Sequence, residues 1–241
     1  MLFMVMHKMT PDLENAVPPR PGLIQEMGKL VGEAQASGTL HNAAGLRPTS
    51  ERVRLICKGG KCTPGKVPTV GEKELVAGFV MLKVPTMEKA VEWAARLGEA
   101  IVDGEIDVGP VVEAWDLGLM PKPANAPLRV LATTKADARF EGGAAPPAAT
   151  TAKLDALIAS MKEAGVFLAA ETLKPSSRGA RLRTKGTSRT WTDGPFTETK
   201  ELISGFTMLH LADLDAAKAW TERYAAILGD IEVDVREAVA T

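Results

Sequence analysis

"TDGPFTETKELISGF" occupies Thr192–Phe206, and 127 residues upstream stands "GKVPTVGEKELVAGF", Gly65–Phe79. Both end in Lys-Glu-Leu followed by Gly-Phe, while the front of the upstream copy differs. At the same offset the whole chain aligns with itself without a gap. "GTLHNAAGLRPTS" at Gly38 lies over "GVFLAAETLKPSS" at Gly165, and "RLICKGG" lies over "RLRTKGT". Trp93 lies over Trp220, and "EIDV" at Glu105 over "EVDV" at Glu232. A domain-sized period marks a tandem duplication and not a solenoid. The prolines of "MPKPANAP", Met120–Pro127, break helix and strand between the copies. Domains are therefore expected at 1–119 and 128–241, joined by a linker at 120–127.

Each copy reads alike. An apolar strand opens it, at Leu2–Lys8 and Leu128–Lys135. A helix follows near 22–37 and 150–164; in the second, Leu154, Leu157, Ile158 and Met161 make one apolar face. Gly38 and Gly165 suit a left-handed helix end. Strands follow near 40–46 and 166–173, then a hairpin on "KGG" or "KGT", then strands at 75–84 and 202–211. Thr86 and Asp213 can cap a second helix carrying Trp93 or Trp220, and a last strand covers 105–112 or 232–239. With helices enough for only one sheet face, the fold class is α+β. The bare faces of the two copies are expected to face one another, giving a pseudo-dimer within one chain.

The 241 residues are 45% apolar and 24% charged, with net charge −1, which gives no global field favouring nucleic acid or an anionic membrane. "MLFMVMHK" has no basic segment before its short apolar run and reads as a strand, not as a signal peptide. No run approaches the roughly 18 apolar residues of a membrane span. A cytoplasmic location is the expectation. Cys57 and Cys62, in "ICKGGKC", flank a Gly-Gly turn. Two reduced, metal-free thiols are expected; a disulfide is the alternative, and zinc lacks a second ligand pair.

"DGPFTETKE" resembles the signature of the DGPF branch of the YCII-related family, and "GVFLAAETLKPSS" and "IEVDVREAV" are also similar to that branch. The resemblance covers both copies. It implies two tandem ferredoxin-like domains forming an intrachain dimeric α/β-barrel-like pseudo-dimer. The first copy keeps Pro68, Lys73, Glu74, Gly78 and Phe79, but has Lys66 for Asp193, Val67 for Gly194 and Thr69 for Phe196. A related YCII branch includes an enzyme that eliminates chloride with a His–Asp pair. That pair does not transfer, because His7, His41 and His210 are the only histidines and none lies in either first helix.

Asp-Gly-Pro is a turn former, and Phe196 can pin the turn to the core. In an extended segment Glu198 and Lys200 share a face, while Glu201 points away. Buried together, such groups shift one another's pKa values as catalytic groups do. Glu171 stands opposite Ala44, and Arg236 opposite Gly109, so Asp193, Glu171 and Arg236 are all replaced in the first copy. The candidate site is therefore single and in the second copy. Asp193, Lys200, Glu198 and Glu171 are its catalytic candidates; Arg236, Phe196 and His210 are its substrate-binding candidates. The competing reading makes Asp193 a loop cap and Lys200–Glu201 surface or inter-copy ion pairs.

Arg181, Arg183 and Lys185 alternate onto one strand face and read as a solvated hairpin edge in preference to an anion or nucleic-acid contact. His7 and His210 read as packing groups at strand ends, and Trp93 and Trp220 as core. No phosphate loop, Ser-His-Asp order or metal motif points to a cofactor. The function expected is small-molecule binding, extending to cofactor-independent acid–base chemistry of the elimination or isomerisation type. The alternatives are a non-catalytic regulatory module and a purely structural homo-oligomer. The chain is expected to act as a monomeric pseudo-dimer or to dimerise further.

Overall fold

The computed structural model describes residues 1–67, 75–196 and 202–239. The first copy runs β1 (Leu2–Lys8), α1 (Pro11–Glu14), α2 (Leu23–Ala36), β2 (Leu40–Gly45), β3 (Val53–Lys58), β4 (Lys61–Lys66), β5 (Val76–Val84), α3 (Met87–Ile101) and β6 (Gly104–Pro110). The second runs β7 (Leu128–Lys135), α4 (Ala138–Glu141), α5 (Ala148–Glu163), β8 (Phe167–Thr172), β9 (Gly179–Lys185), β10 (Ser188–Asp193), β11 (Ile203–His210), α6 (Leu214–Leu228) and β12 (Glu232–Glu237). The Thr86 hydroxyl accepts from the Lys89 amide to start α3, and the Asp213 carboxylate accepts from the Ala216 amide to start α6. Gly38 and Gly165 end α2 and α5 in the left-handed region, at φ +72° and +68°.

Two six-stranded sheets result, with orders β10-β9-β12-β1-β11-β2 and β4-β3-β6-β7-β5-β8, and every pairing is antiparallel. Within each, four strands have the ferredoxin-like order (β12-β1-β11-β2 and β6-β7-β5-β8), and a hairpin widens one edge. The compact units cut across the copies. Unit 1 holds Met1–Gly45 and Leu173–Thr241; unit 2 holds Leu46–Thr172. Each copy thus lends its opening β-α-β to a sheet whose other strands come from the other copy. β1 is hydrogen-bonded to β11 on one side and β12 on the other, and β7 lies between β5 and β6.

This exchange has a direct test. A protease site placed in the exposed segment 121–125 is expected to separate the copies covalently but not physically. The two fragments should co-elute by size exclusion until denaturant is added. Fragments that part under native conditions would mean that each copy folds alone.

In unit 1, α2 and α6 pack on Phe3, Val5, Leu182, Leu209, Val233 and Val235. In unit 2, α3 and α5 pack on Leu55, Val80, Leu82, Ile106, Val108 and Ala132. The alternate residues of these strands, among them Met4, Met6, Phe206 and Met208, are also buried, so each sheet is buried on both faces, with charged residues interspersed on the face away from the helices. No described helix is long and apolar enough to cross a membrane.

The cysteines correct the expectation of reduced thiols. Cys57 and Cys62 are cross-strand partners on β3 and β4 and are disulfide-bonded, with Cα atoms 4.0 Å apart. The register, more than the loop sequence, decides this: directly opposed residues on an antiparallel pair bring their Cβ atoms within bridging range.

Candidate functional site

On β12 the residues alternate: Val233 and Val235 point to the helices, while Glu232, Asp234 and Arg236 take the other face. Arg181 and Arg183 of β9 and Lys8 of β1 meet them there. Lys8 Nζ lies 2.7 Å from Asp234 Oδ2, and Arg181 Nε donates to Asp234 Oδ1 at 2.6 Å. Arg181 Nε is also 3.3 Å from Glu232, and Arg183 pairs with Glu232 at the exposed end of the row. A bulge between His7 and Lys8 shifts the register against β11 where Lys8 joins the group. Such bulges re-aim side chains and recur beside functional sites.

Burial alone would raise the Asp234 pKa. The cations Lys8 and Arg181 outweigh it and hold the carboxyl below the ordinary carboxylate range.

Unit 2 repeats the arrangement with the copies exchanged. Lys135 Nζ lies 2.6 Å from Asp107, Arg54 Nε donates to Asp107 at 2.7 Å, and Arg54 is 3.2 Å from Glu105. A bulge again falls at the lysine, between the pairs Val76–Lys135 and Gly78–Thr134. Asp107 is likewise held low: burial opposes this, but Lys135 and Arg54 prevail. Every cluster is therefore completed by a lysine from the other copy.

The pH consequence has a definite sign. A carboxyl whose pKa is lower folded than unfolded stabilises the protein above the unfolded pKa and stops doing so as pH falls through the folded one. Stability from Asp107 and Asp234 should thus be constant near neutrality and fall below about pH 4, the ordinary aspartate range. Urea midpoints measured from pH 7 downward should show this fall, and Asp107→Asn should make it shallower. A pH-independent midpoint would contradict the cluster geometry.

The sequence candidates distribute as follows. Phe196 is buried, its amide donates to Ser176 Oγ at 3.0 Å, and its ring lies 4.2 Å beneath the Arg181 guanidinium. The Asp-Gly-Pro turn seats it. Gly194 packs so closely on the Ser176 carbonyl that a Cβ there would collide with it, and the Gly194–Pro195 bond is cis. The intact motif thus braces the cluster arginine.

Asp193 is not in the cluster. Its side chain is 76% exposed and pairs with Lys218 of α6 at 2.8 Å. Arg236 is fully buried beside Met4 and Gly179, and donates to the Lys174 carbonyl through Nε, at 3.2 Å, and Nη2. Glu171 lies on β8 of the unit 2 sheet, whereas Asp193 and Arg236 lie on β10 and β12 of the unit 1 sheet. Glu198 and Lys200 lie outside the described residues. His210 is exposed and meets His41 edge-on at 5.1 Å. His7 is on the helix side, where its Nδ1 is 2.7 Å from the Tyr224 hydroxyl. Burial pushes that phenol well above its usual pKa, despite a hydrogen bond with Thr207.

Gly109, taken from the alignment as the loss of Arg236, is a transposition. Gly179 faces Arg236 in unit 1, and in unit 2 Gly109 is covered by the side chain of Arg52, whose Cδ lies 3.1 Å from where a Cβ would be. Arg52 Nε donates to the Arg47 carbonyl at 2.8 Å. Arg47 and Lys174 are equivalent positions, as are Arg52 and Gly179. The same carbonyl is held by a guanidinium in both units, from the residue just before β3 in unit 2 and from β12 in unit 1.

Of the cluster residues, Lys8 and Asp234 were not singled out from the sequence, and Arg181 was read there as part of a solvated hairpin edge, whereas it is buried against Asp234. The available signal was that all four charged positions, Lys8/Lys135, Arg54/Arg181, Glu105/Glu232 and Asp107/Asp234, are identical across copies. Among the described residues, no group of three or more His, Cys, Asp or Glu could hold a metal ion.

The molecule is thus a pair of ferredoxin-like α+β units, each with a buried Lys–Asp–Arg cluster. The YCII-related domain model matches residues 1–113 and 129–237, and the chain belongs to the YCII-related family as two tandem copies. No curated protein and no solved structure matches the chain.

Proposed function

We propose that the protein is a small-molecule-binding member of the DGPF branch, with its site on the helix-free face of unit 1 around Lys8, Asp234 and Arg181. The observation that carries this reading is the cluster itself. Three charges are buried together at a β-bulge, with the motif's Phe196 stacked on the arginine. Burying such a set contributes little to stability compared with an apolar core of similar volume. Perturbed groups of this kind collect where chemistry or binding needs them.

The ligand fitting the cluster is a small anion, such as a carboxylate or an enolate, engaged by Arg181. Asp234 stays ionised and can take part in proton transfer, with Lys8 paired beside it. That is the equipment of cofactor-independent elimination or isomerisation. Asp193 acts in this reading as a brace of the motif loop through Lys218. A second reading, a non-catalytic pseudo-dimer module, is favoured by the repetition of the cluster in unit 2, where its charges again have protein partners.

The test is a thermal-shift screen of small mono- and dicarboxylates against the wild type and against Lys8→Met/Arg181→Met/Asp234→Leu. At least one compound should raise Tm in the wild type and not in the variant. Compounds that shift both equally, or none that shifts the wild type, would defeat the proposed site.

A further inference from the structure

The Cys57–Cys62 bond joins β3 to β4, the outermost strand of the unit 2 sheet. Unit 1 builds the same hairpin, β9–β10, with Thr184 and Arg189 in the equivalent places and no bond. The hairpin therefore does not require the bond. The loop it closes is short, which is where a crosslink constrains an unfolded chain least. α3 is nonetheless shaped for it. A Cβ on Gly98 would collide with both Sγ atoms, whereas the equivalent position of α6 is Ala225. The two sulfurs also differ in access: Cys57 is buried in the core of unit 2, and Cys62 is half-buried on the edge strand.

We infer that Cys57–Cys62 is a reversible thiol–disulfide exchange site, that its co-reactant is a dithiol, and that Cys62 is the sulfur attacked. A thiolate of the dithiol attacks Cys62 Sγ. The Cys57–Cys62 bond breaks, and its electron pair leaves on Cys57 Sγ, which takes up a proton. The second thiolate of the dithiol then attacks its own sulfur in the mixed disulfide and releases Cys62 Sγ, which is protonated in turn. The dithiol ends as a disulfide, and two electrons and two protons have passed to the cysteine pair. Unbonded sulfurs must move apart to van der Waals separation. The space is bounded by α3 at Gly98, so reduction loosens the contact between β4 and that helix.

The experiment uses the full-length oxidised protein, titrated with dithiothreitol under native conditions. Free thiols are counted by alkylation and mass, with circular dichroism and amide exchange read in parallel. Two thiols should appear while the protein remains folded. Exchange should rise in 61–66 and around Gly98, and not in β9–β10. Thiols released only on unfolding, or exchange unchanged on reduction, would overturn the proposal. In a second arm, Cys62 in Cys57→Ser should be modified by glutathione disulfide about tenfold faster than Cys57 in Cys62→Ser, because access governs exchange rates. Equal or reversed rates would overturn the assignment of Cys62.

Discussion

Asp234→Ala is expected to cost about 3–5 kcal/mol, because it strands Lys8 and Arg181 in the interior without the carboxylate that both contact. The loss should appear as a lower urea midpoint with unchanged slope. Asp193→Ala is the natural control. It also removes a lysine-paired carboxylate, but an exposed one, and should change stability by less than about 1 kcal/mol. Equal effects at the two positions would mean that the cluster is hydrated and not buried as described. Replacing all three cluster residues by apolar ones removes the stranded charge along with the pair. That variant should sit much closer to the wild type than Asp234→Ala, which is what makes it usable in the ligand screen.

Arg52→Gly should destabilise by about 2–3 kcal/mol, since it leaves the buried end of the Arg47 carbonyl without its charged donor and opens a void. Adding Gly109→Arg should restore most of that loss. The double variant copies into unit 2 the arrangement unit 1 already has, with arginine on the last strand and glycine opposite. The three atoms nearest a Cβ at Gly109 all belong to the Arg52 side chain, so removing Arg52 clears the closest obstacle. Gly109→Arg alone should be destabilising, because two guanidinium side chains would compete for one place. The double-mutant cycle should thus show strong coupling, on the order of 1–3 kcal/mol. Additive losses would show that the two arginines do unrelated jobs.

Most of the architecture was legible. The offset fixed the copies, strand alternation and helix caps fixed the elements, and Gly38 and Gly165 marked two helix ends. The exchange of β1 and β7 was not, for a physical reason. "FMVMHK" and "RVLATTK" present the same alternation to equivalent neighbours, so either strand satisfies either sheet, and nothing local distinguishes an exchanged pairing from a direct one. The buried charges were hidden in a related way. Position-by-position comparison shows Arg236 against Gly109 as a loss, whereas cross-strand register shows Arg52 in its stead. Arg181 looked like an edge charge because the sequence does not say that Asp234, two strands of chain away, lies opposite it. Among the described residues of the intact motif, Asp193 is exposed and Phe196 is buried, a difference its sequence does not announce.

The division of the chain has a consequence for its synthesis. Unit 2 is one uninterrupted segment, 46–172, enclosed between the two parts of unit 1. It can close while the ribosome is still working. Met1–Gly45 cannot, because the strands that flank β1, β11 and β12, emerge only after residue 202. At the usual pace of translation the apolar "LFMVM" waits on the order of ten seconds or more. During that wait its rightful place is unbuilt, and β5 and β6 of its own copy are available as wrong neighbours until β7 arrives to claim them. Slowing elongation between 110 and 128 should lengthen that competition and raise the yield of misassembled or chaperone-bound chains, whereas the same pause placed after 172 should find unit 2 already sealed.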